Sequence, residues 1–293
     1  MTQPTLFVTG AAGKLGRLVI ERLIERGYTG KIVAGTRDPA RLAGLAGVEV
    51  RKADFSDPAG LTAALAGVDR LLIISTDAIG EIRIKLQGNA VAAAKAAGVK
   101  RIVYTSLPHP EPGSIIPMAT DHYATEQAIK ATGIDYTLLR NSWYMENLLG
   151  SLPAALGSGK WFSASGEGLI SHVTREDTAK AAAGALIADD AGSRVFTITG
   201  PEALTNRQIA AIASDVLGRP IEVVDVSDEQ YTAGLKQAGL PAGLPELLTT
   251  FEIGQRQGVL SMVTNAVETL WGEKPTSVRD FLSANKSALT QAA

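Results

Sequence analysis

Short apolar runs of strand length alternate with helix-spaced segments through the first two hundred residues, and this rhythm constrains the fold more than any other feature. "TLFVTG" is such a run, ending in glycine, and "KLGRLVIERLIERG" follows with apolar positions at Leu15, Leu18, Val19, Leu23 and Ile24, the spacing of one helix face. "KIVAGTR", "VEVRKADF", "RLLIIST" and "KRIVYTSL" are further strands, separated by the helical stretches "PARLAGLAG", "DPAGLTAALAGV" and "LQGNAVAAAKAAG". "ATEQAIKATG" then leads as a helix into the strand "DYTLLRN". Alternation of this kind implies parallel pairing through right-handed crossovers. The expected class is α/β: a Rossmann-like doubly wound parallel sheet, which binds ligands at the carboxyl ends of its strands.

After "DYTLLRN" the rhythm loosens over "SWYMENLLGSLPAALGSGKWFSASGEG", and "RVFTITG" returns as one more strand of the sheet. From "PEALTNRQIAAIASDVLGRPIEVV" onward the chain reads as helices with one strand at "IEVVDV". The expectation is a dinucleotide-binding domain over 1–150 and 171–200, with a smaller, mainly helical C-terminal lobe over 151–170 and 201–293. At 293 residues, one large core or a core with a lobe is expected. Net charge is -2 with no dense basic run, which argues against nucleic acid as a partner. Cysteine is absent, so disulfides, thiolate metal sites and cysteine nucleophiles are excluded. No apolar run reaches the roughly 20 residues of a membrane span, and "MTQPTLFVTG" lacks the order of a signal peptide, so a cytoplasmic location is expected.

Gly10, Gly13 and Gly16 form G-x-x-G-x-x-G between the first strand and the first helix. Glycine permits the tight turn there and lets backbone N–H groups approach a pyrophosphate at the helix N-terminus. NAD-binding chains usually end the second strand with an acidic residue, but "AGTRD" offers Thr36 and Arg37. A guanidinium pairs well with a 2'-phosphate, and Lys14 adds a second cation, which favours NADP(H) over NAD(H). Asp38, one residue after Arg37, reads as a loop residue or a cap before Pro39, the alternative being a carboxylate that reaches the ribose. Asp54 and Phe55 fit an adenine-flanking position, although "DFSDP" equally suits an Asx turn followed by a helix cap. Ser75 and Thr76, after the fourth strand, lie at the edge of the expected cleft.

With the glycine turn, Arg37, "YTSL" and "YTLLRNSWYMENLL" in view, the chain resembles the atypical short-chain dehydrogenase/reductase group that includes NmrA-like proteins. Within it, the chain is similar to the NADPH-dependent quinone oxidoreductase 2 and triphenylmethane reductase branch. The similarity runs over nearly the whole sequence and is most specific from Arg140 to Asn147. It implies phosphate contacts along Gly10, Ala11, Ala12, Gly13, Lys14, Leu15 and Gly16, and 2'-phosphate recognition at Arg37. It also implies nicotinamide-side contacts at Ser75, Thr76, Thr105, Ser106 and Asn141, with Trp143, Tyr144 and Asn147 at the mouth where substrate enters. Aromatic rings can cover a flat acceptor there, and amides can orient its oxygens. Trp143 and Tyr144 could instead pack the lobe junction.

Most short-chain reductases carry Ser on the fifth strand and Tyr-xxx-Lys on the next helix. Ser106 is present, but "DHYATEQAIK" puts His122 and Glu126 where the pair should stand, and a one-residue slip gives Tyr123 and Gln127. His122 and Glu126, four apart, share a helix face and are expected to form a surface ion pair. The alternative makes His122 a proton donor whose pKa Glu126 raises. His109 and His172 form no metal-ligand spacing. Tyr144, Asn147 and His122 are thus the candidate catalytic side chains, and Trp143 and Tyr144 the candidate substrate contacts. A missing phenol suits an acceptor whose reduced anion is delocalised, such as a quinone, or a cationic dye that needs no proton. The expected activity is hydride transfer from NADPH to a conjugated small molecule, without flavin or metal, in a monomer or homodimer. An NADP(H)-sensing regulator is the rival reading, and reduction of another carbonyl, an imine or an activated alkene is a third that differs only in substrate.

Overall fold

The computed structural model describes residues 3–291. β1 (Leu6–Val8) leads through the glycine turn into α1 (Lys14–Glu25), and β2 (Ile32–Thr36), β3 (Glu49–Lys52), α2 (Pro58–Ala64) and β4 (Arg70–Ile73) follow. Next come α3 (Glu81–Ala96), β5 (Arg101–Ser106), α4 (Met118–Ala131) and β6 (Asp135–Asn141). Then come α5 (Leu148–Ser158), β7 (Lys160–Ser163), α6 (Arg175–Ile187) and β8 (Arg194–Ile198). The chain finishes with α7 (Asn206–Leu217), β9 (Glu222–Asp225), α8 (Asp228–Gln237), α9 (Leu244–Arg256), α10 (Ala266–Trp271), α11 (Val278–Ala284) and α12 (Lys286–Gln291).

Seven strands form one sheet in the order β3-β2-β1-β4-β5-β6-β8, every pair parallel. The order reverses direction between β1 and β4, the switch point at which such sheets hold ligands. Strand residues are apolar on both faces because helices cover both. Phe7, Val33, Leu71, Ile102 and Leu138 pack under α2, α3 and α4, while Leu6, Val8, Leu72, Val103 and Leu139 pack against α1 and α6. A third cluster joins α5, α7, α9 and α11 through Leu152, Ile209, Phe251 and Phe281. Ala266, Val267 and Trp271 of α10 sit in the cluster of α1 and α6, so the stretch after 201 contributes to both.

The loosened stretch holds structure that the pattern hid. Leu148, Leu152, Ala155 and Leu156 recur at helical spacing on the buried face of α5, despite Pro153 in its interior. Gly159, in the left-handed region at φ 71°, ends that helix and turns the chain directly into β7. β7 pairs with β9 as a separate two-stranded parallel sheet, so the C-terminal region is less purely helical than its sequence suggested. "PARLAGLAG" narrows to a four-residue 3-10 turn, Pro39–Leu42. Among the described residues no helix is long and apolar enough to cross a membrane.

Candidate active site

The carboxyl edge of the sheet brings the sequence-predicted residues into one row, and its two sides differ in kind. On the β1–β3 side, Gly10 adopts φ +60°, and a Cβ on Gly16 would stand 2.4 Å from the Gly10 carbonyl oxygen. Only glycine lets the first turn of α1 close over β1, and no side chain caps that turn. Its N–H groups are therefore directed at whatever binds there, a ready anion site. The Ala11 N–H donates to the Gly35 carbonyl at 3.0 Å, joining this turn to the end of β2.

Lys14 and Arg37 flank the turn, both exposed, and neither forms an ion pair among the described residues. Asp38 is engaged locally. Its Oδ1 accepts from the Ala40 N–H at 3.1 Å and caps the 3-10 turn. Asp54 Oδ1 accepts from the Ser56 N–H at 2.9 Å and hydroxyl at 2.7 Å, an Asx turn, and Asp57 caps α2. Those bonds hold the Asp54 carboxyl below its ordinary pKa, with Arg37 adding a smaller effect. The Phe55 carbonyl accepts from Asn89 at 2.8 Å, which ties this segment to α3.

On the β4–β6 side the backbone is pinned repeatedly. The Ile74 N–H donates to Thr9 Oγ1 at 2.8 Å and the Ser75 N–H to Thr105 Oγ1 at 2.9 Å. Thr76 Oγ1 and Asn141 Oδ1 are buried and without a hydrogen-bond partner among the described residues. Buried polar atoms are nearly always partnered, and these two orphans stand at the carboxyl edge after β4 and at the end of β6, on either side of β5.

The inner face of α4 corrects the expectation of a surface ion pair. His122 is 4% exposed and Glu126 wholly buried, and the two are not paired with each other. Glu126 accepts from Ser106 Oγ at 2.7 Å and from Arg140 at 3.0 and 2.8 Å, one bond to each carboxylate oxygen. Arg140 also reaches Glu111 at 3.2 Å. His122 Nε2 lies 3.0 Å from Arg83 Nη1, and Nδ1 lies 2.7 Å from Tyr104 Oη. Arginine only donates, so Nε2 accepts, and the proton of the neutral ring sits on Nδ1 and is donated to the phenol. Burial, reinforced by Arg83, drops the His122 pKa to about 3, the reverse of the shift a Glu126 partner would cause. Burial likewise pushes Tyr104 up to about 12. The position of the usual catalytic pair is occupied by groups bonded inward.

Beyond β6, Trp143 stacks on Phe251 of α9 with ring centroids 4.1 Å apart, so it does pack the lobe junction. Tyr144 is half-buried, with the Arg175 guanidinium 4.9 Å from its ring centroid. Burial raises its pKa to about 12, against the opposing pull of Arg175 and a hydrogen bond with Asn141. Tyr144 thus keeps its proton at neutral pH and is a weak acid. The Asn147 N–H donates to the Tyr144 carbonyl at 3.1 Å and closes the short 3-10 turn Met145–Asn147. Asn141, Trp143, Tyr144 and Asn147 are therefore gathered within one bend. Arg83 and Arg175 were not singled out in the sequence, where nothing distinguishes them from surface arginines on helices.

Comparisons with known proteins agree with this architecture. Quinone oxidoreductase 2 of Escherichia coli (strain K12) is 40% identical over 278 residues, covering 94% of this chain and 96% of its own. The crystal structure of the E. coli NADPH-dependent quinone oxidoreductase complexed with NADPH matches with a TM-score of 0.90 at 40% identity, over 95% of this chain and 99% of that one. Citrobacter sp. triphenylmethane reductase complexed with NADP(H) matches with a TM-score of 0.89 at 34% identity, over 98% and 100%. The profile of the NmrA-like family spans residues 2–282. On sequence and on fold alike, the chain belongs to the NmrA-like family.

Proposed function

We propose that the protein is an NADPH-dependent reductase that passes hydride directly to a quinone or a similar conjugated acceptor. The observation that carries this reading is the inward bonding of Ser106 and His122, which leaves the β5–α4 corner without a free acid. An alkoxide formed from a simple ketone would need a proton or strong oxyanion stabilisation at once. A hydroquinone anion is delocalised and takes its proton from water, so the chemistry tolerates this site. The E. coli and Citrobacter relatives, a quinone reductase and a dye reductase, support the same acceptor class.

The residues present fit a dinucleotide: an uncapped, glycine-closed helix start at one end and two orphaned polar atoms at the other. Bound NADPH would supply the hydride. Gly10 through Gly16, with Ala11, Ala12 and Leu15 between, hold the pyrophosphate by backbone N–H groups, and Arg37 with Lys14 holds the 2'-phosphate. Asp54 and Phe55 flank the adenine. Ser75, Thr76, Thr105 and Asn141 orient the nicotinamide, and Ser106 fixes the end of β5 from behind. Tyr144 and Asn147 face the acceptor, Tyr144 as a hydrogen-bond donor, while Trp143 walls the entrance against Phe251. The acceptor enters between the sheet edge and the lobe of 151–170 and 201–293. Orientation and exclusion of water are then the protein's main contributions.

Purified protein mixed with NADPH and a panel of quinones and cationic dyes is expected to consume nicotinamide absorbance. Turnover no faster than the uncatalysed background across the panel overturns the reading, and unequal binding of NADP+ and NADPH in that event would favour a redox-sensing role.

A further inference from the structure

Residues 74–80, between β4 and α3, have no regular structure, yet five of their backbone groups are fixed by side chains from outside the segment. Thr9 and Thr105 hold Ile74 and Ser75. Arg83 Nη2 donates to the Thr76 carbonyl at 2.7 Å, and its Nε donates to the Ala78 carbonyl. The Gly80 N–H donates to Asp121 Oδ2 at 2.7 Å. Arg83 is only 3% exposed, and among the described residues no carboxylate lies within ion-pair distance of it. Its remaining face rests on the neutral imidazole of His122. A buried guanidinium whose only acceptors are two carbonyls and an imidazole is costly to desolvate, and burial lowers its pKa accordingly. The segment it fixes carries Thr76, whose buried hydroxyl has no hydrogen-bond partner among the described residues.

We propose that Arg83, held in place by neutral His122, is a positioning residue that sets the Thr76–Ala78 backbone against the nicotinamide end of the cofactor. The inference rests on the reductase reading of the site. Arg83 and His122 face away from the reacting atoms and act through Thr76. Their effect falls on the hydride step rather than on cofactor affinity, which the glycine turn and Arg37 supply from the other end. Misplacement of a reacting group by about 1 Å can cost about a hundredfold in rate.

The test uses Arg83→Met, His122→Leu and the milder Arg83→Lys and His122→Gln, of which the last keeps an acceptor for the guanidinium. Expected are a fall in kcat of about tenfold to a hundredfold for the first two, an NADPH Kd within about threefold of wild type, and partial recovery in His122→Gln. The kinetic isotope effect from NADPH deuterated at the transferred position should rise as hydride transfer becomes limiting. The pH profile should keep its shape, because His122 supplies no proton. Unchanged kcat and isotope effect, loss of NADPH affinity in proportion to kcat, or a lost limb of the pH profile in His122→Gln each overturns the proposal. Amide exchange across Thr76–Gly80 in the NADPH complex tests the clamp apart from turnover. Faster exchange in Arg83→Met and His122→Leu is expected even if no acceptor were reduced, and unaltered exchange overturns the clamp while leaving the reductase reading intact.

Discussion

The two sides of the carboxyl edge solve opposite problems. Around β1 to β3, Lys14 and Arg37 stand exposed without ion-pair partners among the described residues, above a turn whose N–H groups have no side-chain cap there. Around β4 to β6, Arg83, Thr105, Ser106, His122 and Glu126 are buried and hydrogen-bonded, and among the described residues Thr76 Oγ1 and Asn141 Oδ1 are left without a partner. Free charge in solvent contributes attraction and affinity; a fully bonded buried network contributes fixed geometry. On the proposed reading, one side grips the cofactor and the other aims it.

The largest effect that would sharpen this contrast comes with acid. Holding His122 neutral adds stability that is complete above its unfolded pKa near 6.5 and is lost as pH falls from there toward about 3. His172, buried and lowered to about 4, adds a second contribution over a narrower window. Together they should make the protein several kcal/mol less stable near pH 3 than near pH 7, on the order of 4 from His122 alone. Denaturant unfolding across pH, with His122→Gln flattening the curve, checks this; an unflattened curve breaks the assignment of His122 to the buried side. Glu126→Ala should follow in size, at about 3 kcal/mol, because it strands the Arg140 guanidinium that Glu126 holds. Arg140 is partly exposed and keeps Glu111, so the loss falls at the low end for a broken buried pair. Chemical denaturation at neutral pH is the measurement.

Effects on the gripping side should be smaller in stability and visible in affinity. Gly16→Ala forces the α1 turn away from Gly10, which should cost about 1–3 kcal/mol of stability, and the displaced turn should bind NADPH roughly tenfold more weakly in a fluorescence titration. Arg37→Ala should weaken NADPH about tenfold more than NADH, with little change in stability because the side chain is exposed. Equal weakening of both cofactors would remove the 2'-phosphate from Arg37 and break the contrast at its simplest point.

The glycine turn and the exposed cations of the β1–β3 side were legible in the sequence. Their signals are local: a glycine triplet between a strand and a helix, and a cation in place of an acid at the end of the next strand. The aiming side was legible only in part. "RNSWYMENLL" marked a bend that the structure does contain, but "DHYATEQAIK" was misjudged as a solvated face, since His122 and Glu126 at helical spacing look the same whether a helix faces water or a neighbour. α5 and β7 escaped for a related reason, because Pro153 and Gly159 broke the pattern before packing could show through.

By itself, then, the sequence determined the alternation of strands and helices, the glycine turn, and the absence of a Tyr-xxx-Lys pair. Periodicity and covalent chemistry are written residue by residue. Tertiary structure decided what replaced that pair. His122 meets Arg83 from 39 positions away and Glu126 meets Arg140 from 14, and each polar group is tolerable in the interior only because a distant strand or helix carries its partner to it.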